Sequence, residues 1–396
     1  MAFDPASLCI ECAKHPSLKR FIELRGRTGF RCAICEQLGA VASQPEDVRD
    51  LAMIIRGLVR FYYSEWEYNG HWGASETEDS LLLKENPILV HQPKPGGKIE
   101  PENVEAFLKE SIFWPPYPES NEGIAIYSGF FDNGDRRPPL SALSSSVSPL
   151  LRNIEKRLLA ENYFEVEEIM VRHLEDMGGA IETHIDAGSL FYRARIGTAG
   201  KYQKFPLWDF TPTMRHRPFQ GQHVGAPPPP VASAGRANRA GVSFLYLASD
   251  EATAAAEVRP HPAHLLSIAC FEVNRVLKIA DFGRVNIGDF TNSEKRLALY
   301  HLAYSIDLTM SMPIVPEDRE RYTATQLVAD LVRRRGFDGI KYRSSVGSGI
   351  NLCVFVVNAL REYSGLGKVM RVRNVSYNLE TLDTVLEPGE EDIEIS

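Results

Sequence analysis

Four cysteines near the start of the chain, Cys9, Cys12, Cys32 and Cys35, form two C-x2-C pairs separated by nineteen residues. Two close pairs on tight turns can bring four sulfurs to the corners of a tetrahedron. Soft thiolates suit zinc, and a closed four-thiolate site leaves no position for a catalytic water. The spacing predicts a structural zinc ribbon over residues 1–42. Two disulfides, an iron–sulfur centre and a redox C-x2-C pair are the alternatives, of which disulfides suit a secreted chain. Cys270 and Cys353 lie in the apolar runs SIACFEV and NLCVFVV and read as core residues.

A second group of reactive types lies in the C-terminal half. Arg193 sits in FYRAR, Arg236 in GRANR, Tyr246 in the run FLYLAS, Glu257 at the end of ATAAAEV, and Ser344 and Ser345 before a Gly-rich turn. Arginine offers a planar fork for phosphate oxygens, and a carboxylate can stabilise positive charge developing on a sugar. By periodicity alone, the same residues read as ordinary ion pairs and surface groups near element ends.

The elements that must carry these residues follow from patterning. The chain has 396 residues, room for two or three domains. Hydrophobic residues at 44% and charged residues at 24% are ordinary for a globular protein. No run of about 18 apolar residues exists to cross a membrane, and MAFDPASLCIECAKH does not read as a secretory signal, so a cytoplasmic location is expected. The net charge of −8 makes nucleic acid the weaker guess as partner.

DLAMIIRGLVRFYYSEW has helical periodicity, PENVEAFLKESIF reads as a short helix, and SPLLRNIEKRLLAENYFEVEEIMVRHLEDMGG reads as one longer helical tract. Residues 45–180 are therefore expected to be a mostly helical domain, with Trp66 and Trp72 packed inside it. SLFYRARI, GVSFLYLAS, HLLSIACFEV, VLKIADF, DGIKYRSS, INLCVFVV and KVMRVRNVSY read as strands, DEATAAAEV as a short helix, and residues 197–241 as Gly/Pro-rich loop. Helices are expected near 292–310 and 323–335, with His301 and Tyr304 at the core, and an acidic tail over 376–396. Strands and helices do not alternate as βαβ units, which predicts an α+β fold, and neither common nucleotide fingerprint is present.

Three segments taken in order, FYRAR, GRANRAGVSFLYLASDEATAAAEV and GFDGIKYRSSVGSGINLCVFVV, resemble the RES domain family, named for Arg, Glu and Ser. The resemblance covers about 185–360, with 185–375 taken as the domain, and Arg236 precedes Glu257 by 21 residues. It implies a fold related to ADP-ribosyltransferases and, from the family's toxin members, degradation of NAD+. Carried onto this chain, it implies Arg236, Glu257 and Ser344 as catalytic residues and Arg193, Tyr246 and Ser345 as groups that bind NAD+. Ala237 stands where family members often have an aromatic residue.

The helical region resembles, more loosely, the HEPN-type domain preceding some RES domains. It lacks the R-x4-6-H motif of the catalytic HEPN ribonucleases, so that activity does not carry over. The leading reading is an NAD+ glycohydrolase or phosphorylase acting as a toxin or defence effector. A mono-ADP-ribosyltransferase and a non-catalytic binding module are the alternatives. An antitoxin or trigger protein is an expected class of partner, and oligomeric state is left open.

Overall fold

The computed structural model describes residues 7–42, 44–90, 99–111, 123–129, 133–205, 213–313, 322–377 and 379–382. Residues 7–42 build a three-stranded sheet, ordered β1 (Leu8–Cys9), β3 (Leu38–Ala42), β2 (Arg27–Arg31), and all pairs are antiparallel. Helix α1 (Pro16–Arg25) lies between β1 and β2, an element the cysteine spacing did not reveal. Pro at its first turn and His15, whose Nδ1 accepts from the Ser17 amide at 3.1 Å, start it.

The helices of the middle region divide between two cores. α2 (Pro45–Tyr62), α3 (Glu78–Leu83) and α4 (Pro101–Ser111) share a core with the N-terminal sheet: Leu18, Ile22 and Ile34 pack in the same cluster as Leu51, Ile55 and Phe107. Ile287 and Leu297 of the C-terminal half close that cluster. A unit of about 40 residues has too little apolar surface to stand alone, and here its neighbours supply the rest. The tract expected as one helix is two, α5 (Pro149–Ala160) and α6 (Tyr163–Met177). Asn162 breaks it by turning its side chain to the Phe164 amide, which caps α6. Leu151, Ile154, Val166, Met170 and Leu174 then pack with the C-terminal half.

Trp66 is half exposed rather than packed. Trp72 donates its indole N–H to Glu65, a fully buried carboxylate that also accepts from Asn69 Nδ2 and the amides of Ser128 and Leu140. That buried charge is satisfied four times over and fixes the segments around it.

The C-terminal half is one large mixed sheet with helices against it. Its chain order is β4 (Glu182–Ile185), β5 (Leu190–Ile196), β6 (Gly200–Lys204), β7 (Thr213–Arg217), β8 (Leu245–Ala248), α7 (Glu251–Glu257), β9 (Leu265–Val273), β10 (Leu277–Asp281), α8 (Glu294–Ser311), α9 (Thr323–Arg334), β11 (Gly339–Arg343), β12 (Ile350–Val354), β13 (Leu360–Glu362) and β14 (Lys368–Arg371). The sheet runs β13-β9-β5-β8-β12-β11-β10-β4, with β14 also on β9. Only β10–β11 is parallel among the described pairs. This is the α+β arrangement the unpatterned mixture of elements predicts.

Both faces of the central strands are buried. On β12, Cys353 faces the cluster formed with α5, α6, α8 and α9, while Leu352 and Val354 face the opposite cluster. His301 is buried on α8 with its Nε2 2.9 Å from the Ser146 carbonyl oxygen. Residues 197–241 are not all loop: β6 and β7 pair antiparallel within them, two five-residue runs without Pro that keep every ladder N–H. Of the acidic tail, residues 383–396 lie outside the described residues. Among those described, no helix is long and apolar enough to cross a membrane.

Because α5 and α6 complete the core under the large sheet, a chain cut to residues 181–396 is expected to aggregate or melt at a lower temperature than one cut to 146–396. Equal thermal unfolding curves for the two would contradict this.

Candidate active site and metal centre

The four cysteine sulfurs lie within 4.8 Å of one another, three of them on buried residues. Two turns place them. The Cys12 and Ala13 amides fold back on the Cys9 carbonyl, and the Glu36 amide folds back on the Cys32 carbonyl. The Cys9 amide donates to the Cys32 sulfur at 3.4 Å, and the Cys9 and Cys35 sulfurs are 3.7 Å apart. All four are free thiols. They share protons unevenly: hydrogen bonding from Cys12 brings the Cys9 thiol down to about 7 and lowers Cys35, while contact with Cys32 raises Cys12. One cation at the centre removes that competition by letting all four bind as thiolates, so the donor set fits a single metal ion.

A separate cavity of about 300 Å³ gathers the C-terminal residues. Arg193, Arg236, Tyr246 and Glu257 line it, and Ser344 reaches it through Glu257. Among the described residues, those that line it all come from 192–351.

Glu257 ends α7, where the helix dipole disfavours a carboxylate. Two donors offset this: Ser344 Oγ at 2.7 Å and Asn351 Nδ2 at 2.6 Å, both to Oε1. The Ser344 hydroxyl is itself aimed, since its oxygen accepts from the amides of Val346 and Gly347 at 3.2 and 2.9 Å. With Oε1 occupied, Oε2 is the oxygen left for a ligand. The other end of α7 is pinned to the same β11–β12 hairpin. Asp250 caps the helix through the Thr253 amide, and these hydrogen bonds hold its carboxyl below the usual range. Thr253 Oγ1 accepts from Gly349, and Ser249 Oγ accepts from Ile350. Gly349 is required by this approach, for a Cβ there would lie 2.2 Å from Asp250 Oδ2 and 2.6 Å from Thr253 Oγ1.

Arg193 stands on β5 opposite Ala269 of β9, with a buried Nη1 that has no hydrogen-bond partner among the described residues. Burial and then the neighbouring Arg195 lower its pKa. A guanidinium N–H left unpaired in a cavity wall is a place for an anion. Arg236 is held by its backbone: Thr325 Oγ1 donates to its carbonyl at 2.7 Å, and Gln326 donates to the carbonyl of Gly235 at 2.8 Å. Its guanidinium lies over the Tyr322 ring, and the Ser345 hydroxyl is 3.5 Å away. The two serines thus divide, Ser344 to Glu257 and Ser345 toward Arg236.

The Tyr246 hydroxyl is engaged by the Arg236 turn. It accepts from the Ala237 amide at 3.0 Å and donates to Asn238 Oδ1 at 2.6 Å, and burial raises its pKa well above the usual tyrosine value. What it offers the cavity is its ring. Ala237 is buried in the core cluster rather than presented to the cavity, so it supplies no stacking surface.

Asn351 and Tyr342 are lining residues the sequence reading missed. A polar residue opening the apolar strand run NLCVFVV was the available signal for Asn351. Tyr342 carried none, being one more aromatic in a strand. A second cavity, of about 650 Å³, adjoins the first and shares Arg193, Ala194 and Val258 with it.

Residues 204–366 match the RES domain. The chain therefore carries a RES domain. Arg193 lies upstream of the matched residues, yet the fold sets it in the same cavity wall as Glu257. Among solved structures, a chain of the crystal structure of the M. tuberculosis MbcT–MbcA toxin–antitoxin complex is similar at 11% identity. The match covers 52% of this chain and 92% of that one, with a TM-score of 0.25. No curated protein matches.

Replacing Gly349 by Ala is expected to destabilise the RES domain by about 1–3 kcal/mol, the usual range for overpacking. Urea denaturation of the two proteins reads it directly, and an unmoved midpoint would show that α7 does not depend on this approach.

Proposed function

We propose that the RES domain degrades NAD+ by cleaving the nicotinamide–ribose bond, as a glycohydrolase or phosphorylase, in a toxin or defence effector. The observation that carries this reading is Glu257, with one oxygen held by Ser344 and Asn351, in the same cavity as Arg193 and its unpaired buried N–H. A dinucleotide has an anionic pyrophosphate between two nucleosides. The two adjoining cavities meet at Arg193, which suits it to bind that pyrophosphate, with Arg236 as the second cation.

Departure of nicotinamide leaves oxocarbenium character on the ribose. Glu257 Oε2 would face that charge and hold a ribose hydroxyl. Ser344 and Asn351 fix the carboxylate so that it need not reorganise as charge develops. Tyr246 and Tyr342 offer ring surface to the nicotinamide, and Ser345 sits beside Arg236 on the phosphate side. Water or phosphate then completes the transfer at the anomeric carbon.

For the N-terminal cluster we propose zinc, in a structural role, because four clustered sulfurs form a closed soft-ligand set. For the helices of 45–180 the proposed role is likewise structural, as they build core for both the metal ribbon and the RES domain.

Incubated with NAD+, the purified protein is expected to release nicotinamide, and Glu257→Gln to lower the rate by about 10²-fold or more, the usual loss when one electrostatic stabiliser is removed. ADP-ribose as product would name water as acceptor, its 1″-phosphate would name phosphate, and label retained on a macromolecule would favour transferase chemistry. An active wild type with an equally active Glu257→Gln would sink the assignment. Elemental analysis is expected to find one zinc per chain, and Cys12→Ser to lose it together with thermal stability. A metal-free protein of unchanged stability would remove the zinc proposal.

A further inference from the structure

A third cavity, of about 580 Å³, lies where the metal ribbon, the end of α2 and the RES domain meet. It does not include Glu257, Arg193 or Arg236. Its volume falls in the range of about 300–1,000 Å³ typical of small-molecule sites.

Two chemistries line it. One wall is aromatic: Phe61 and Tyr62 from α2, and Tyr300 and Tyr304 from one face of α8. Phe61 packs edge-on against Tyr300 and Tyr304, with ring centroids 5.8 and 5.0 Å apart. The other wall is ionic. Lys341 pairs with Asp281 at 2.5 Å and Arg343 with Asp307 at 2.9 Å, both cations alternating with Tyr342 along β11. Arg284 adds a third cation, and its bond goes to the uncharged Glu182 carbonyl. Burial lowers the His15 pKa, and its Nδ1 accepts from the Ser17 amide, which leaves Nε2 as the ring's donor. Three cations therefore stand against two carboxylates.

The ion pairs are unequal in how tightly they are held. Asp307 is 7% exposed and its partner Arg343 is 62% exposed. Burial raises the Asp307 pKa despite that arginine. Arg343 is thus a solvent-facing guanidinium that gives Nη2 to Asp307 and can turn its outer N–H groups to a ligand oxygen while keeping that pair.

We propose that this cavity is a second ligand site, for a nucleoside monophosphate, with the base against the aromatic wall and the phosphate on Arg343, Lys341 and Arg284. Stacking suits any flat base, and the cationic surplus selects the anionic end. The site spans segments remote in sequence, since α2 supplies Phe61 and Tyr62, the N-terminal unit His15, and residues 281–350 the rest. Its β11 wall continues directly into Ser344, the donor to Glu257.

The test is calorimetric titration of the full-length Arg193→Ala protein with AMP, with adenosine and inorganic phosphate as separate arms. Arg193→Ala weakens the phosphate hold of the RES cavity, and Arg343 and Tyr304, which do not line that cavity, report on the third cavity alone; no turnover is measured, so the outcome is independent of the NAD+ proposal. AMP is expected to bind. Adding Arg343→Ala is expected to weaken it about tenfold, as loss of one charge-assisted contact does, and Tyr304→Leu is expected to weaken AMP and adenosine alike. No AMP binding, or binding unmoved by both Arg343→Ala and Tyr304→Leu, would overturn the proposal. Adenosine as tight as AMP would remove the anion-binding assignment, and phosphate as tight as AMP would remove the aromatic one.

Discussion

The site depends on holding a carboxylate where a helix alone would not favour it. Glu257 closes α7 at the negative end of the helix dipole. The β11–β12 hairpin offsets this twice over, with Ser344 and Asn351 both donating to one oxygen. The same hairpin grips the opposite end of the helix through Gly349, Ile350, Thr253 and Ser249. Helix and hairpin are therefore one rigid clamp. Its cost is a stringent demand for glycine at 349, the residue that lets two backbones close on a shared set of hydroxyls.

That clamp is anchored in a core that ignores sequence order. α8 and α9 cover the sheet from inside the RES domain, and α5 and α6 cover it from well upstream. Arg334 of α9 joins this packing by pairing with Asp330 of its own helix and with Glu167 of α6. The N-terminal four-cysteine unit shares its apolar residues with α2 and with Ile287 and Leu297. Arg60 and Glu294 add an ion pair at 3.1 Å between α2 and α8. A small N-terminal unit thereby gains a larger core than its own length could bury.

Much of this was legible in the linear sequence. The C-x2-C pairs announced a four-sulfur cluster because tight knuckles need only local chain geometry. The apolar runs containing Cys270 and Cys353 announced buried strands, and the short run DEATAAAEV announced α7. Periodicity misjudged places where a polar side chain competes with the backbone: Asn162 split an expected helix, and paired strands appeared in a Gly/Pro-rich stretch read as loop. Asn351 escaped notice because a buried amide is identified by its partner, and that partner is 94 residues away.

Residue types and local spacing thus determined which side chains could do chemistry: four thiols, two arginines, a glutamate and two serines. Only tertiary structure decided their division of labour. Ser344 and Ser345 are adjacent in sequence, yet one meets Glu257 and the other Arg236, because successive residues leaving a strand point to different sides. Arg193 is left with an unpaired N–H, and the Tyr246 hydroxyl is consumed by a turn, through contacts between strands remote in sequence. Hydrogen-bond satisfaction is a property of three-dimensional neighbours, and no one-dimensional pattern specifies it.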